Sequence, residues 1–164
     1  MLNGISGIHH VAISVPDIEA AKNFYCGVLG FELADEFSFA PTEIGDQITG
    51  VKDAAADVIM LRAGNLHLEI FEYKNPGVGH QEAGRPVCDH GYTHLALEVD
   101  GDIQEVYDTL EKNGVNWHAP LLDDLDGEGY AVTYGRDPFG NVIEIQKLSR
   151  ENPAYISHLP RWKA

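Results

Sequence analysis

From His10 to Val15 the chain alternates in character: His10, Ala12 and Ser14 would share one face of a strand, while Val11, Ile13 and Val15 form the apolar one. The same division recurs from His94 to Val99, with His94, Ala96 and Glu98 opposite Leu95, Leu97 and Val99. After each strand the spacing becomes helical. Ile18, Ala21, Tyr25 and Val28 follow the start signal Pro16-Asp17, and Ile103, Val106, Tyr107 and Leu110 follow Asp100-Gly101-Asp102. Gly30 and Gly114 stand where left-handed caps would end these helices. Further strands are predicted over 32–39 and 58–62, then over 117–120 and 131–136.

The two halves are copies of one another. Gly7-Ile8-His9-His10-Val11-Ala12-Ile13-Ser14-Val15 aligns with Gly91-Tyr92-Thr93-His94-Leu95-Ala96-Leu97-Glu98-Val99, and Gly30-Phe31 with Gly114-Val115 at the same offset. Each copy closes on a Gly-Asn turn and a strand with a single Glu, in Gly64-Asn65-Leu66-His67-Leu68-Glu69-Ile70 and Gly140-Asn141-Val142-Ile143-Glu144-Ile145. The expectation is one α+β domain over 1–164, in which a strand, a helix and three strands occur twice. Its parts are a module at 5–73, a linker at 74–89 rich in Gly and Pro, a module at 90–148 and an extension at 149–164. Gly127 and Gly129 predict a mobile loop after Leu122; its acidic residues lack the alternate spacing of a calcium-binding EF-hand loop.

Composition narrows the function. A formal charge of −15 and a pI near 4.7 exclude a nucleic-acid binder, which needs clustered Lys and Arg. The acidic residues are scattered and read as a solvated surface. Cys26 and Cys88 form no C-x-x-C, the start has no basic and apolar leader, and no run approaches the roughly 18 apolar residues of a membrane span. A cytoplasmic protein without membrane contact is expected.

Strand alternation puts His10 with Ala12 and Ser14, His67 with Glu69 and Phe71, and Glu144 with Gln146, all opposite the apolar rows that must meet the helices. Ionisable groups on the inner face of a sheet are costly unless they pair or bind something. A lone strand histidine is usually structural, but His and Glu recur at matching points of both copies. His10, Glu69, His94 and Glu144 are therefore expected to form a single divalent-metal site. This mixed N and O set suits Zn, Fe, Mn, Co or Ni better than Mg or Ca. His9 is expected to face the other way, and His67, His80, His90, His118 and His158 have no counterpart in the other copy.

With these residues in place, the chain resembles the vicinal oxygen chelate superfamily, which includes glyoxalase I, methylmalonyl-CoA epimerase, extradiol dioxygenases and the bleomycin and fosfomycin resistance proteins. The resemblance lies in His9-His10-Val11-Ala12-Ile13-Ser14-Val15-Pro16-Asp17, Phe24-Tyr25-Cys26-Gly27-Val28-Leu29-Gly30-Phe31 and Arg136-Asp137-Pro138-Phe139-Gly140-Asn141-Val142-Ile143-Glu144-Ile145, within residues 5 to 148. It implies two βαβββ modules in tandem, forming a cleft with one metal ligand from the first and one from the last strand of each.

By motif position His10, Glu69, His94 and Glu144 fill all four ligand places. Bleomycin-type binders typically lack this set and extradiol dioxygenases use two His and one Glu, so the fourth ligand points to the glyoxalase and epimerase side. The resemblance there implies a lyase or isomerase that moves a proton at carbon beside a carbonyl through a metal-chelated enediolate, with Zn the first choice of metal. Glu144 and Glu69 are the candidate catalytic bases, with the stronger case for Glu144. The alternatives are an Fe(II) extradiol-type dioxygenase and a small-molecule-binding protein without turnover. No basic cluster suited to glutathione or coenzyme A stands out, so a compact, partly apolar substrate with two adjacent oxygens is expected. Phe37 and Phe39 read as core residues. The apolar groups of the extension, Tyr155, Leu159, Pro160 and Trp162, are expected to contact a second copy in a homodimer.

Overall fold

Parallel pairing of the first and last strands in each module decides where its chemistry lies. The computed structural model describes residues 7–77, 79, 85–124, 127 and 129–158. In the first module β1 (His10–Ser14) leads into α1 (Ile18–Lys22), which continues as a π-helical segment at Asn23–Val28. β2 (Glu32–Phe39), α2 (Glu43–Thr49), β3 (Ala55–Ala63) and β4 (Leu66–Asn75) follow. The second module has β5 (Leu95–Glu98), α3 (Ile103–Lys112), β6 (Asn116–Trp117), β7 (Ala131–Arg136) and β8 (Val142–Lys147), then a 3-10 turn at Ile156–His158. The sheets have the orders β1-β4-β3-β2 and β5-β8-β7-β6. β4 runs parallel to β1 and β8 parallel to β5, while the other pairs are antiparallel. This is the expected α+β arrangement of two βαβββ modules, and the chain divides into two compact units between residues 80 and 81.

Local chemistry sets the helix ends. Asp17 accepts from the Ala20 amide and Asp102 from those of Gln104 and Glu105, filling N–H groups that lack helical partners. Gly30 and Gly114 close the helices at φ +73° and +94°, a region that costs glycine little. The helix-facing rows form the cores: Ile18, Ala21, Phe24 and Tyr25 with Ile59, Leu61, Leu68 and Ile70, and Ile103 and Leu110 with Val115, Ala131, Ile143 and Ile145. Each such aliphatic side chain contributes about 1.5–3 kcal/mol on burial. In β7 a glycine is required by packing. A Cβ on Gly135 would lie 2.5 Å from the Trp117 ring, which stacks on Tyr107 of α3 at 4.9 Å.

Four local features differ from the sequence expectation. α2 is additional. Ile44 and Ile48 are 69% and 79% exposed, so this helix buries no apolar stripe and leaves no clear periodicity. Its signals are local: Thr42 accepts from the Gly45 amide, and Gly50 caps the end at φ +70°. β4 runs on to Asn75, into the expected linker, whereas β6 stops at Trp117, short of Pro120. The extension, as far as His158, returns to its own module: Tyr155 is buried, and its hydroxyl donates to Asp100 at 2.7 Å. Leu159, Pro160 and Trp162, like His80, Leu125, Asp126 and Glu128, lie outside the described residues. Among the described residues no helix is long and apolar enough to cross a membrane.

Candidate active site

Because β4 lies beside β1, the first module's His and Glu become neighbours. His10 pairs in register with His67, and Ala12 with Glu69. The His10 Nε2 stands 3.3 Å from the Glu69 Oε2. The second module repeats this: Ala96 pairs with Glu144, and the His94 Nε2 lies 3.0 Å from the Glu144 Oε2.

In both modules the other imidazole nitrogen is held by the side chain of the preceding residue. Thr93 Oγ1 is 2.8 Å from the His94 Nδ1, and the His9 Nδ1 is 2.9 Å from the His10 Nδ1. Such a contact fixes the ring and directs Nε2 toward the carboxylate, as outer-shell partners do for histidine ligands. His9 therefore does not face away. It precedes β1, so strand alternation does not govern it, and its ring stacks on His67 at 5.2 Å.

The carboxylates differ in surroundings. The Glu144 side chain is 8% exposed and that of Glu69 14%. Tyr134, the register partner of Glu144 on β7, lies beside it and meets the His94 ring edge-on at 4.9 Å. Burial first, then the neighbouring Glu144 carboxylate, push the Tyr134 phenol above its usual range. At the equivalent place Glu69 meets Met60. β8 is aimed by the turn before it. Asp137 is buried and accepts from the amides of Phe139 and Asn141 at 2.9 and 2.8 Å, which fixes the Asp137-Pro138-Phe139-Gly140-Asn141 turn.

The helix-free face of the first sheet grades from polar to apolar. Its registers run His10, His67, Arg62 and Glu32, then Ala12, Glu69, Met60 and Asp35, then Ser14, Phe71, Val58 and Phe37. Phe71 stacks on Tyr73 at 5.6 Å, and Phe37 is 44% exposed. Phe37 is thus a surface residue beside Glu69's row, not the core residue expected. In the second module Glu98 shares a face with Glu144. One of its oxygens accepts from the Ile156 amide at 3.1 Å, while the other is buried and unpartnered among the described residues. Burial pushes its carboxyl above the ordinary range.

Among the described residues no three His, Cys, Asp or Glu side chains gather closely enough to hold a metal ion; each module contributes a pair. The donors fit a borderline divalent ion, with one oriented imidazole nitrogen and one partly dehydrated carboxylate in each pair. The structure brings the sequence-predicted residues together as His10 with Glu69 and His94 with Glu144. Sequence reasoning missed Tyr134, His9 and Thr93, whose signal was their place in register with or just before the predicted ligands.

Residues 7–145 match the Glyoxalase/Bleomycin resistance protein/Dioxygenase superfamily, and the chain belongs to it. Among curated relatives it is 38% identical to a 2-epi-5-epi-valiolone epimerase from Actinomyces, covering 92% of this chain and 84% of that one. It is 22% identical to mouse mitochondrial methylmalonyl-CoA epimerase, over 85% and 72%. A glyoxalase family protein from Bacillus cereus shares the fold with a TM-score of 0.78 at 20% identity, over 89% of this chain and 96% of that one.

Proposed function

We propose that this protein is a metal-dependent isomerase or lyase that moves a proton at carbon next to a carbonyl, with His10, Glu69, His94 and Glu144 together holding one divalent ion, Zn first among the choices. The supporting observation is the repetition of one oriented His/Glu pair, at one register, in both modules. The likeness to two epimerases supports the isomerase half of the reading.

When bound, the ion would supply Lewis-acid stabilisation of the negative charge that develops on two adjacent substrate oxygens. The protein's own groups do the rest. His9 and Thr93 hold the two imidazoles in place. Glu144 is the more buried carboxylate, 3.0 Å from His94 and flanked in register by Tyr134, which supports a fixed ligand. Glu69 has the His10 contact and an apolar neighbour in Met60, which supports the freer role: its carboxylate takes the proton from carbon and returns it. This moves the stronger case for the base from Glu144 to Glu69. Phe37, Phe71 and Tyr73 offer an apolar wall for the substrate body.

The test is deuterium exchange in D2O under nitrogen, with Zn, Mn, Co or Ni, on a panel of 2-hydroxy and 2-oxo carbonyl compounds. The expected result is exchange at the carbon beside the carbonyl, lost in Glu69→Gln. No exchange with any of the metals would overturn the proposal. Fe(II)-dependent oxygen uptake with catechols in its place would assign the protein to the dioxygenases.

A further inference from the structure

Arg62 and Arg136 occupy equivalent places, each next to the register partner of the module's glutamate, and the protein treats them differently. Arg136 is spent on its own module, donating to the Gly140 carbonyl at 2.7 Å and the Arg85 carbonyl at 2.5 Å. Arg62 has no hydrogen bond among the described residues. Its one partner is Glu32, at a loose 3.6 Å with both side chains more than half exposed. Ion pairs of that kind add little, and a guanidinium has five donors in a fixed fork.

The Arg62 guanidinium borders a cavity of about 470 Å3 that, among the described residues, is lined by the first module between the start of β1 and the β3–β4 turn. Its other polar lining comes from His9, His67 and Asn65, with Ile8 and Leu66 as apolar walls. His67 is the register partner of both Arg62 and His10, so one row links the cavity to the candidate ligand. The imidazoles of His9 and His67, which both line the cavity with Arg62, stack at 5.2 Å. In a chain of formal charge −15, a loosely paired arginine lining a cavity with two histidines and an asparagine is a local exception.

We propose that this cavity is an oxyanion subsite, in which Arg62, Asn65 and His67 bind a carboxylate or phosphate group carried by the substrate at the end away from the Phe37 and Phe71 wall. It deepens the functional reading, and rests on it only in assigning the oxyanion to the substrate; the cavity itself needs no metal. Spacing along the chain does not reveal this grouping because Arg62, Asn65 and the histidines come from different strands and a turn. Arginine suits the role because its fork matches two oxygens of either group.

The test is a titration of the metal-free full chain with inorganic phosphate and, separately, succinate at constant ionic strength, followed by amide shifts in 15N–1H spectra. Saturable shifts confined to the residues around Gly64–His67 are expected for at least one anion. Arg62→Gln should weaken them about tenfold or more, the loss of one charge-assisted bidentate contact, and Arg150→Gln should leave them unchanged. Saturation by phosphate alone assigns a phosphate, and by succinate alone a carboxylate. Shifts spread over every surface arginine, or an undiminished response in an Arg62→Gln chain with the native melting transition, would overturn the proposal. Zn binding by calorimetry, run on the same samples, reports separately on the metal reading: intact anion binding without metal binding would remove the latter alone.

Discussion

The two His/Glu pairs are built to one plan and finished differently. In the second module the pair is enclosed: Glu144 is 8% exposed and lies in register with Tyr134, whose ring meets His94. In the first, His10 is 39% exposed, Glu69 has Met60 where Glu144 has Tyr134, and a cavity lined by Arg62 opens alongside. Duplication supplies matched His/Glu pairs, and divergence at the neighbouring register position gives them different surroundings. The enclosed pair is suited to anchor an ion. The open pair is suited to receive a substrate and exchange a proton with it.

The largest expected effect separates the two glutamates. Glu69→Gln should lower the exchange rate at saturating metal by about 10²–10⁴-fold, the range for loss of a general base. Glu144→Gln should act mainly by weakening metal binding, seen as rescue of rate at high metal concentration. Equal behaviour of the two would break the proposed division. Next come the positioning residues. His9→Ala and Thr93→Ala should each reduce metal affinity by roughly 10–100-fold, as outer-shell changes do, without a shift in the pH profile of exchange at saturating metal.

A smaller effect probes packing that belongs to the second module. Gly135→Ala forces a methyl against Trp117 and should destabilise by about 1–3 kcal/mol in a denaturant titration. Leu61 holds the equivalent place in the first module and is fully buried, so Leu61→Ala would instead leave a cavity. The smallest effect concerns Glu98. Its folded-state pKa is raised by burial, so its favourable contribution is full below the ordinary glutamate range and is lost as pH rises through the raised value. Glu98→Gln should therefore melt roughly 2–4 °C higher than the parent near neutral pH, the shift that about 1 kcal/mol gives in a chain this long. The difference should vanish in acid. A gap that widens in acid would contradict the assignment.

The sequence made the ligand pairs legible because repetition exposes what spacing alone does not: a His and a Glu at matching points of two copies. Alternation placed His10 and Glu69 on one face, and the parallel closing strand made them neighbours. The pattern was silent where structure is local or non-periodic. α2 has two apolar residues and buries neither, so its caps were the only signal. His9 was misplaced because alternation was extended one residue beyond the strand. Arg62 went unnoticed because its partners lie on other strands, and only register brings them together.

The central claim is that the two pairs serve one metal ion, and stoichiometry tests it most directly. Metal content after dialysis against limiting Zn, measured by mass spectrometry on the full chain, should give one ion per chain, and none in either His10→Ala or His94→Ala. Two ions per chain, with each variant losing one and keeping the other, would show two independent sites and contradict the account.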